Sequence, residues 1–167
     1  MSHSKPASTA EPKDAVVLTP DPLDFTALIN CSRDPKAGAI SAFMGTTRDS
    51  FQGREVLSLE YEAYLPMADK MLREIMAEAR HCWAVHHVTI GHKLGHCPVG
   101  EVSVVIVVSA AHRHESLAAV EYLINRLKDC VPIWKKEILG DGTGQWKENE
   151  PSRELRSDIS PQVPSED

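Results

Sequence analysis

Residues 109–138 read SAAHRHESLAAVEYLINRLKDCVPIWKKEI, and they set cationic side chains at the start of a helix, at its end and on the strand that follows. Such an arrangement suits an anion: a helix N-terminus offers unpaired N–H groups, and Arg and Lys add charge-assisted hydrogen bonds. The chain as a whole is acidic, with a formal net charge of -6, so the positive charge gathered here is local. His112 and Arg113 sit where an apolar strand gives way to the helix, so backbone amides, helix dipole and guanidinium can converge on one phosphate or carboxylate. Arg48 follows the end of another apolar strand and repeats the pattern.

Helical periodicity places the next cation. Counting about 100° per residue from Leu117, the residues Val120, Ile124 and Leu127 share one arc, and Lys128 falls at its rim, about 20° from Leu117. On the strand that follows, Ile133, Lys135 and Glu137 share one face while Trp134, Lys136 and Ile138 share the other. Only one of the two adjacent lysines can therefore face a pocket. Lys135 with Glu137 is the better pair, because Trp134 and Ile138 claim the opposite face for packing. A solvated helix-end lysine and a plain surface ion pair are the bland alternatives, and spacing alone leaves both open.

The elements that must position these groups are legible from pattern. Asp24 caps a short helix carrying Phe25, Leu28 and Ile29, and residues 38–47 form a largely apolar strand. Residues 57–64 alternate, with Leu57, Leu59, Tyr61 and Ala63 on one face and Ser58, Glu60, Glu62 and Tyr64 on the other. Residues 67–83 place Met67, Met71, Leu72, Ile75, Met76, Ala79 and Trp83 at helical spacing, as a core-facing row. Strands follow over 85–94 and 99–110, the second nearly continuous in Val and Ile and so central, with a turn at Pro98-Val99-Gly100. A second amphipathic helix over 115–130 stops near Pro132 and gives way to a strand over 133–139. Asp141-Gly142 with Gly144 signals a hairpin into residues 145–148. Two main helices against mostly hairpin-connected strands predict an α+β domain with a mostly antiparallel sheet, over residues 15–149. Both ends, 1–14 and 150–167, are rich in Ser, Pro, Glu and Lys without apolar periodicity and are expected to be disordered tails.

Composition narrows the function classes. At 167 residues, 42% apolar and 25% charged, the chain fits one ordinary globular domain. Acidic residues still outnumber basic ones when both ends are set aside, which argues against nucleic acid. No secretory leader or apolar run of membrane-spanning length is present, so a cytosolic home with no membrane association is expected. Cys31, Cys82, Cys97 and Cys130 form no C-x-x-C pair, and Gly95 and Pro98 argue against a helix that would align His92 with His96, so neither a metal nor another cofactor is expected.

Taken together, GAISAFMGTTR (38–48), LEYEAYLPMA (59–68), SAAHR (109–113) and LKDCVPIWKKE (127–137), with Trp146 beyond, closely resemble the large, catalytic subunits of molybdopterin synthases, and EYEAYLPMA with VPIWKKEI resembles their eukaryotic form. The resemblance covers residues 38–147 and implies an α/β hammerhead-like fold with an additional small β subdomain. It implies a sulfurtransferase of molybdenum cofactor biosynthesis, which passes two sulfur atoms to cyclic pyranopterin monophosphate and so forms the molybdopterin dithiolene. The sulfur comes as a thiocarboxylate on the Gly-Gly C-terminus of a small ubiquitin-like subunit. A homodimer of large subunits within a heterotetramer is the implied assembly. Carried over residue by residue, the substrate contacts match Thr46, Thr47, Arg48, His112, Arg113, Lys128, Lys135, Lys136 and Glu137, and the catalytic lysines match Lys128 and Lys135.

The chemistry accounts for these residue types. Phosphate and thiocarboxylate are both anions, and fixed cations such as Arg48 and Arg113 bring them together. A lysine partly withdrawn from water beside another cation gives up its proton more readily and can shuttle it as a carbon–oxygen bond breaks. Glu137 is expected to orient Lys135. Cys130 lies about 200° around the helix from Lys128, and the resemblance puts the sulfur on the partner, so Cys130 is rejected as a carrier. Lysine 93 stands where the family commonly has arginine, which puts any bidentate contact from that position in doubt. The same basic pocket would also serve a non-catalytic module that docks a ubiquitin-like tail or senses an anion, and only Lys128 together with Lys135 separates the two.

Overall fold

Everything in the domain is organised around one strand, Val102–Ala110, in which all but the first residue is buried. The computed structural model describes residues 13–147. In chain order the elements are β1 (Ala15–Thr19), α1 (Phe25–Cys31), β2 (Ala39–Thr46), β3 (Ser50–Phe51), β4 (Arg54–Ala63), α2 (Leu65–Cys82), β5 (Val85–Lys93), β6 (Gly95–Pro98), β7 (Val102–Ala110), α3 (Arg113–Cys130), β8 (Ile133–Leu139) and β9 (Gly144–Lys147).

They form two sheets. The first has strand order β1-β5-β7-β2, with β1 parallel to β5 and the other pairs antiparallel. The second runs β3-β4-β8-β9, with β6 also paired to β4. This is the α+β, mostly antiparallel arrangement that the periodicity predicts. Helices α2 and α3 cover one face of the first sheet, and Leu72, Ile75 and Met76 meet Val88, Ile90, Ile106 and Leu123 there in the main core. The short α1, capped by Asp24 accepting from the Ala27 amide at 3.0 Å, covers Val105 and Val107 on the other face through Leu28. Glu78 braces the two long helices by accepting from Tyr122 at 2.8 Å and from Arg126 Nε at 3.1 Å.

Several expectations shift for identifiable reasons. A register irregularity between Val56 and Ser58 breaks the alternation of β4, so Leu57 turns outward and Ser58 is buried. Met67 is exposed because it lies about 140° around α2 from Leu72, outside the stripe that faces the sheet. Leu117, the reference for the wheel on α3, is exposed, and the buried arc runs through Ser116, Ala119, Val120, Leu123, Ile124 and Leu127. That helix begins at Arg113 instead of 115. Trp134 does not pack inward; it stands half exposed beside Trp146.

The first strand, β1, has too little amphipathic pattern to be read alone and is held by its parallel neighbour. Just before it, Asp14 ties the chain down by pairing with Arg80 at 2.6 Å and accepting from the Val88 amide at 2.9 Å, so the ordered fold begins ahead of the tail boundary expected at residue 15. The rest of both expected tails lies outside the described residues. The expected hairpin is in place as far as Lys147, residue 148 lying outside the described residues: Asp141 accepts from the Thr143 amide, Gly142 adopts φ 80°, and β9 returns along β8.

Candidate functional site

A cavity opens where the two sheets meet the C-terminal end of α3. Strand β2 delivers Phe43, Gly45 and Thr46 to its wall, and the turn beyond β2 adds Arg48. The register shift at Gly45/Thr46 occurs at this point, and Gly45 lies so close to β7 that an added Cβ would come within 2.7 Å of Val104 Cγ1. Helix α3 contributes Ile124, Leu127 and Lys128, the first two buried and the third exposed at the rim, as its wheel position requires. Strand β8 contributes Ile133, Lys135 and Glu137, the face that alternation selects.

Arg48, Lys128 and Lys135 thus converge on one opening, although they are 80 positions and more apart in the chain for the first two. Lys128 is exposed in the single chain, so the withdrawal from water that proton shuttling favours is not supplied by this protomer alone. Glu137 is buried and pairs with Lys147 at 3.1 Å, and the same Lys147 ammonium stands 3.1 Å from the centroid of the Phe51 ring. The expected orienting role toward Lys135 therefore has a competitor, a cation on β9 that the strand pattern did not single out.

The remaining candidates lie elsewhere. Thr47 is buried, with its hydroxyl donating to Cys97 Sγ at 3.3 Å and its amide to the Glu101 carbonyl, so it supports the wall from behind. Lys136 is on the outer face of β8, over the Trp146 ring at 5.7 Å, as the alternation argument required. His112 and Arg113 are exposed at the N-terminus of α3, and the His112 ring makes no capping hydrogen bond. Fifteen residues of helix separate Arg113 from Lys128, roughly 22 Å along the axis at about 1.5 Å per residue. Within one chain these groups do not share a site.

The inner end of the cavity carries polar groups that spacing did not reveal. Tyr61, His92 and Ser103 line it beside Phe43 and Val104. His92 is 4% exposed, and its Nδ1 lies 2.7 Å from the Lys93 carbonyl. Burial holds its pKa down to about 4, so the ring is neutral at physiological pH. Burial also pushes the Tyr61 phenol up, with the Ser103 hydroxyl acting the other way. The strand that carries His92 also holds His86, His87, Thr89 and Lys93, so nothing in its pattern singled His92 out. The thiols behave as structural groups: burial raises the pKa of Cys97 and of Cys130, and Cys130 Sγ donates to the Arg126 carbonyl at 3.0 Å.

The fold agrees with comparisons to known proteins. The family model described as MoaE protein matches residues 18–130. The chain belongs to the MoaE protein family. A curated relative, the molybdopterin synthase catalytic subunit of Rattus norvegicus, is 49% identical over 139 residues, covering 83% of this chain and 70% of its own length. Among solved MoaE-like structures, molybdopterin synthase from Staphylococcus aureus superposes with a TM-score of 0.74 at 35% identity, covering 79% of this chain and 94% of that one. A more distant neighbour shares the fold at TM-score 0.64 and 20% identity, covering 81% and 90%: a complex of subunits 1 and 2 of molybdopterin-converting factor from Helicobacter pylori.

Proposed function

We propose that this chain is the catalytic subunit of a molybdopterin synthase, a sulfurtransferase that acts in molybdenum cofactor biosynthesis. The observation that carries the reading is the convergence of Lys128, Lys135 and Arg48 on one cavity in a member of the MoaE family. Relatives at near 50% identity bear that name, which supports the enzyme over a docking module. Sulfur arrives as the thiocarboxylate of a small ubiquitin-like subunit, and the acceptor is cyclic pyranopterin monophosphate. Each transfer exchanges sulfur for oxygen, so the partner's tail leaves as a carboxylate. Arg48 holds anionic oxygen at the mouth, while Lys128 and Lys135 bind the substrate and deliver or remove protons where the carbon–oxygen bond breaks. The Helicobacter pylori neighbour, itself a two-subunit complex, supports a small-subunit partner.

The site needs a second copy of this chain. Strand β2 is an edge of its sheet, starts beside the α3 N-terminus and ends at the cavity: Ala39 pairs with Ala110, Ser41 bonds Ser116 at 2.7 Å, and Thr46 lines the cavity wall. Its outward face carries exposed Ile40 and Met44. A two-fold, antiparallel pairing of β2 with its equivalent reverses that direction, and so carries the second copy's His112 and Arg113 toward the first copy's Thr46 and Arg48. That dimer, with one small subunit per active site, makes the heterotetramer. It also covers Lys128, giving the withdrawal from water that the isolated chain lacks. A cytosolic setting fits the composition, and no helix among the described residues is long and apolar enough to cross a membrane.

The decisive experiment combines the chain with thiocarboxylated small subunit and the cyclic pterin and measures dithiolene product. Product from the wild type and none from the Lys128→Ala/Lys135→Ala double variant is expected. Retained activity in the double variant would remove the lysines from catalysis, and no product from the wild type would favour a docking module.

A further inference from the structure

The cavity is electrostatically two-sided, and its inner end has a property that the cationic mouth does not explain. The Lys93 carbonyl can only accept a hydrogen bond, so the 2.7 Å contact requires His92 Nδ1 to carry the proton. Nε2 of the neutral ring is then an acceptor. Burial holds the ring in that state, and Tyr61 meets it edge-on at 5.0 Å between centroids. His92 is 4% exposed and lines the cavity with Phe43, Tyr61 and Val104, and an acceptor presented to such a cavity favours a ligand group that donates.

We infer that His92 is a substrate-recognising residue at the closed end of the cavity, whose Nε2 accepts a hydrogen bond from an N–H or O–H of the substrate's flat, polar ring system. The inference rests on the functional reading above and deepens it. Phosphate and thiocarboxylate present acceptor oxygens, which a lone pair on Nε2 repels. A reduced pterin presents ring N–H and amino donors, which it attracts. The neutral inner end and the cationic mouth therefore read opposite ends of one molecule, and together they fix which end of the substrate enters first. Ser103, also lining this end, donates its hydroxyl proton to the Gly45 carbonyl at 3.3 Å, which leaves its oxygen as a second acceptor beside His92.

The test separates loss of Nε2 from loss of structure. His92→Asn keeps a donor near the Nδ1 position for the Lys93 carbonyl but has no group at Nε2, whereas His92→Gln restores an acceptor there. In calorimetric titrations of the full-length protein with its small subunit, His92→Asn is expected to weaken binding of the cyclic pterin roughly tenfold, the value of one hydrogen bond. Inorganic phosphate should bind as in the wild type, and His92→Gln should recover part of the loss. Pterin affinity within twofold of wild type in His92→Asn, or an equal loss of phosphate affinity, overturns the inference. A second measurement needs no variant: the ¹⁵N resonance of His92 Nε2 in the wild type should move on adding pterin and stay in place with phosphate, and an unmoved resonance overturns the inference as well. A wild type that binds no pterin sinks the functional reading itself, and this inference with it.

Discussion

The two ends of α3 carry the same kind of residue in opposite settings. At the C-terminal end Lys128 stands at the rim of a cavity whose other walls come from β2, β4 and β8, and Arg48 and Lys135 meet it there. At the N-terminal end His112 and Arg113 are exposed and take no part in lining that cavity. Positive charge alone therefore does not make a site in this fold; a site forms where three or more elements close around the charge. The N-terminal end acquires such walls only if a second chain supplies them.

The largest effect belongs to the walled end. Removing both Lys128 and Lys135 should lower the rate of dithiolene formation by at least about 10³-fold, since proton transfer and charge stabilisation are lost together. Single-turnover assays with preloaded small subunit check this. The unwalled end gives the next largest effect, and it breaks or confirms the comparison directly. If Arg113 serves the neighbouring copy, Arg113→Ala and Lys128→Ala variants that are each inactive should recover about a quarter of wild-type activity when mixed and allowed to exchange, because half of the dimers then carry one intact site of two. No recovery after verified exchange would place both residues in the site of one chain or leave Arg113 outside it. The milder Arg113→Lys keeps the charge but loses the planar fork, and should weaken substrate binding by about 1 to 3 kcal/mol in calorimetry.

A further contrast lies inside the cavity, between exposed cations at the mouth and neutral His92 behind them. Its folded-state pKa of about 4 is below the ordinary 6.5, so between those values the unfolded chain binds a proton that the folded chain refuses. Stability is then greatest above pH 6.5 and falls as pH drops toward 4, by roughly 3 kcal/mol from this group. Urea unfolding at pH 7 and pH 4.5 should show a smaller loss in His92→Asn than in the wild type. An equal loss in both would mean that His92 does not carry this part of the pH dependence.

What was legible in the sequence follows from how each residue is placed. Strand β8 read correctly down to its faces, because period-two alternation is local and the cavity lies on one side of it. Lys128 read correctly as a rim residue for the same reason, one helix and one arc. Leu57 did not, since a register irregularity is a property of two strands and is not written in either. Lys147 and His92 were missed because their roles depend on side chains that the second sheet brings beside them: Glu137 across the β8–β9 ladder for one, Tyr61 of β4 for the other. Grouping His112 and Arg113 with Lys128 and Lys135 from the pattern of cations does not hold within one chain, because α3 puts the first pair a helix length from Lys128.

The smallest expected effect concerns Lys93, where the sequence resemblance led to an expectation of arginine. Its side chain is 6% exposed and its ammonium lies 2.7 Å from Glu101, and although its neighbour His92 lines the cavity, Lys93 does not. Successive side chains on a strand point to opposite faces, so the geometry of β5 turns Lys93 away as it turns His92 in. The bidentate substrate contact expected of an arginine at this position is therefore not lost here, because the position faces Glu101. Lys93→Arg should change kcat/KM for the cyclic pterin by less than about twofold, while Lys93→Met should destabilise the fold by about 3 kcal/mol by leaving the Glu101 carboxylate half buried without its partner. Paired denaturation and activity measurements on the two variants separate the outcomes. A large kinetic change in Lys93→Arg with stability unaltered would move this residue from the supporting layer into contact with substrate, and would extend the cationic mouth behind the neutral end of the cavity.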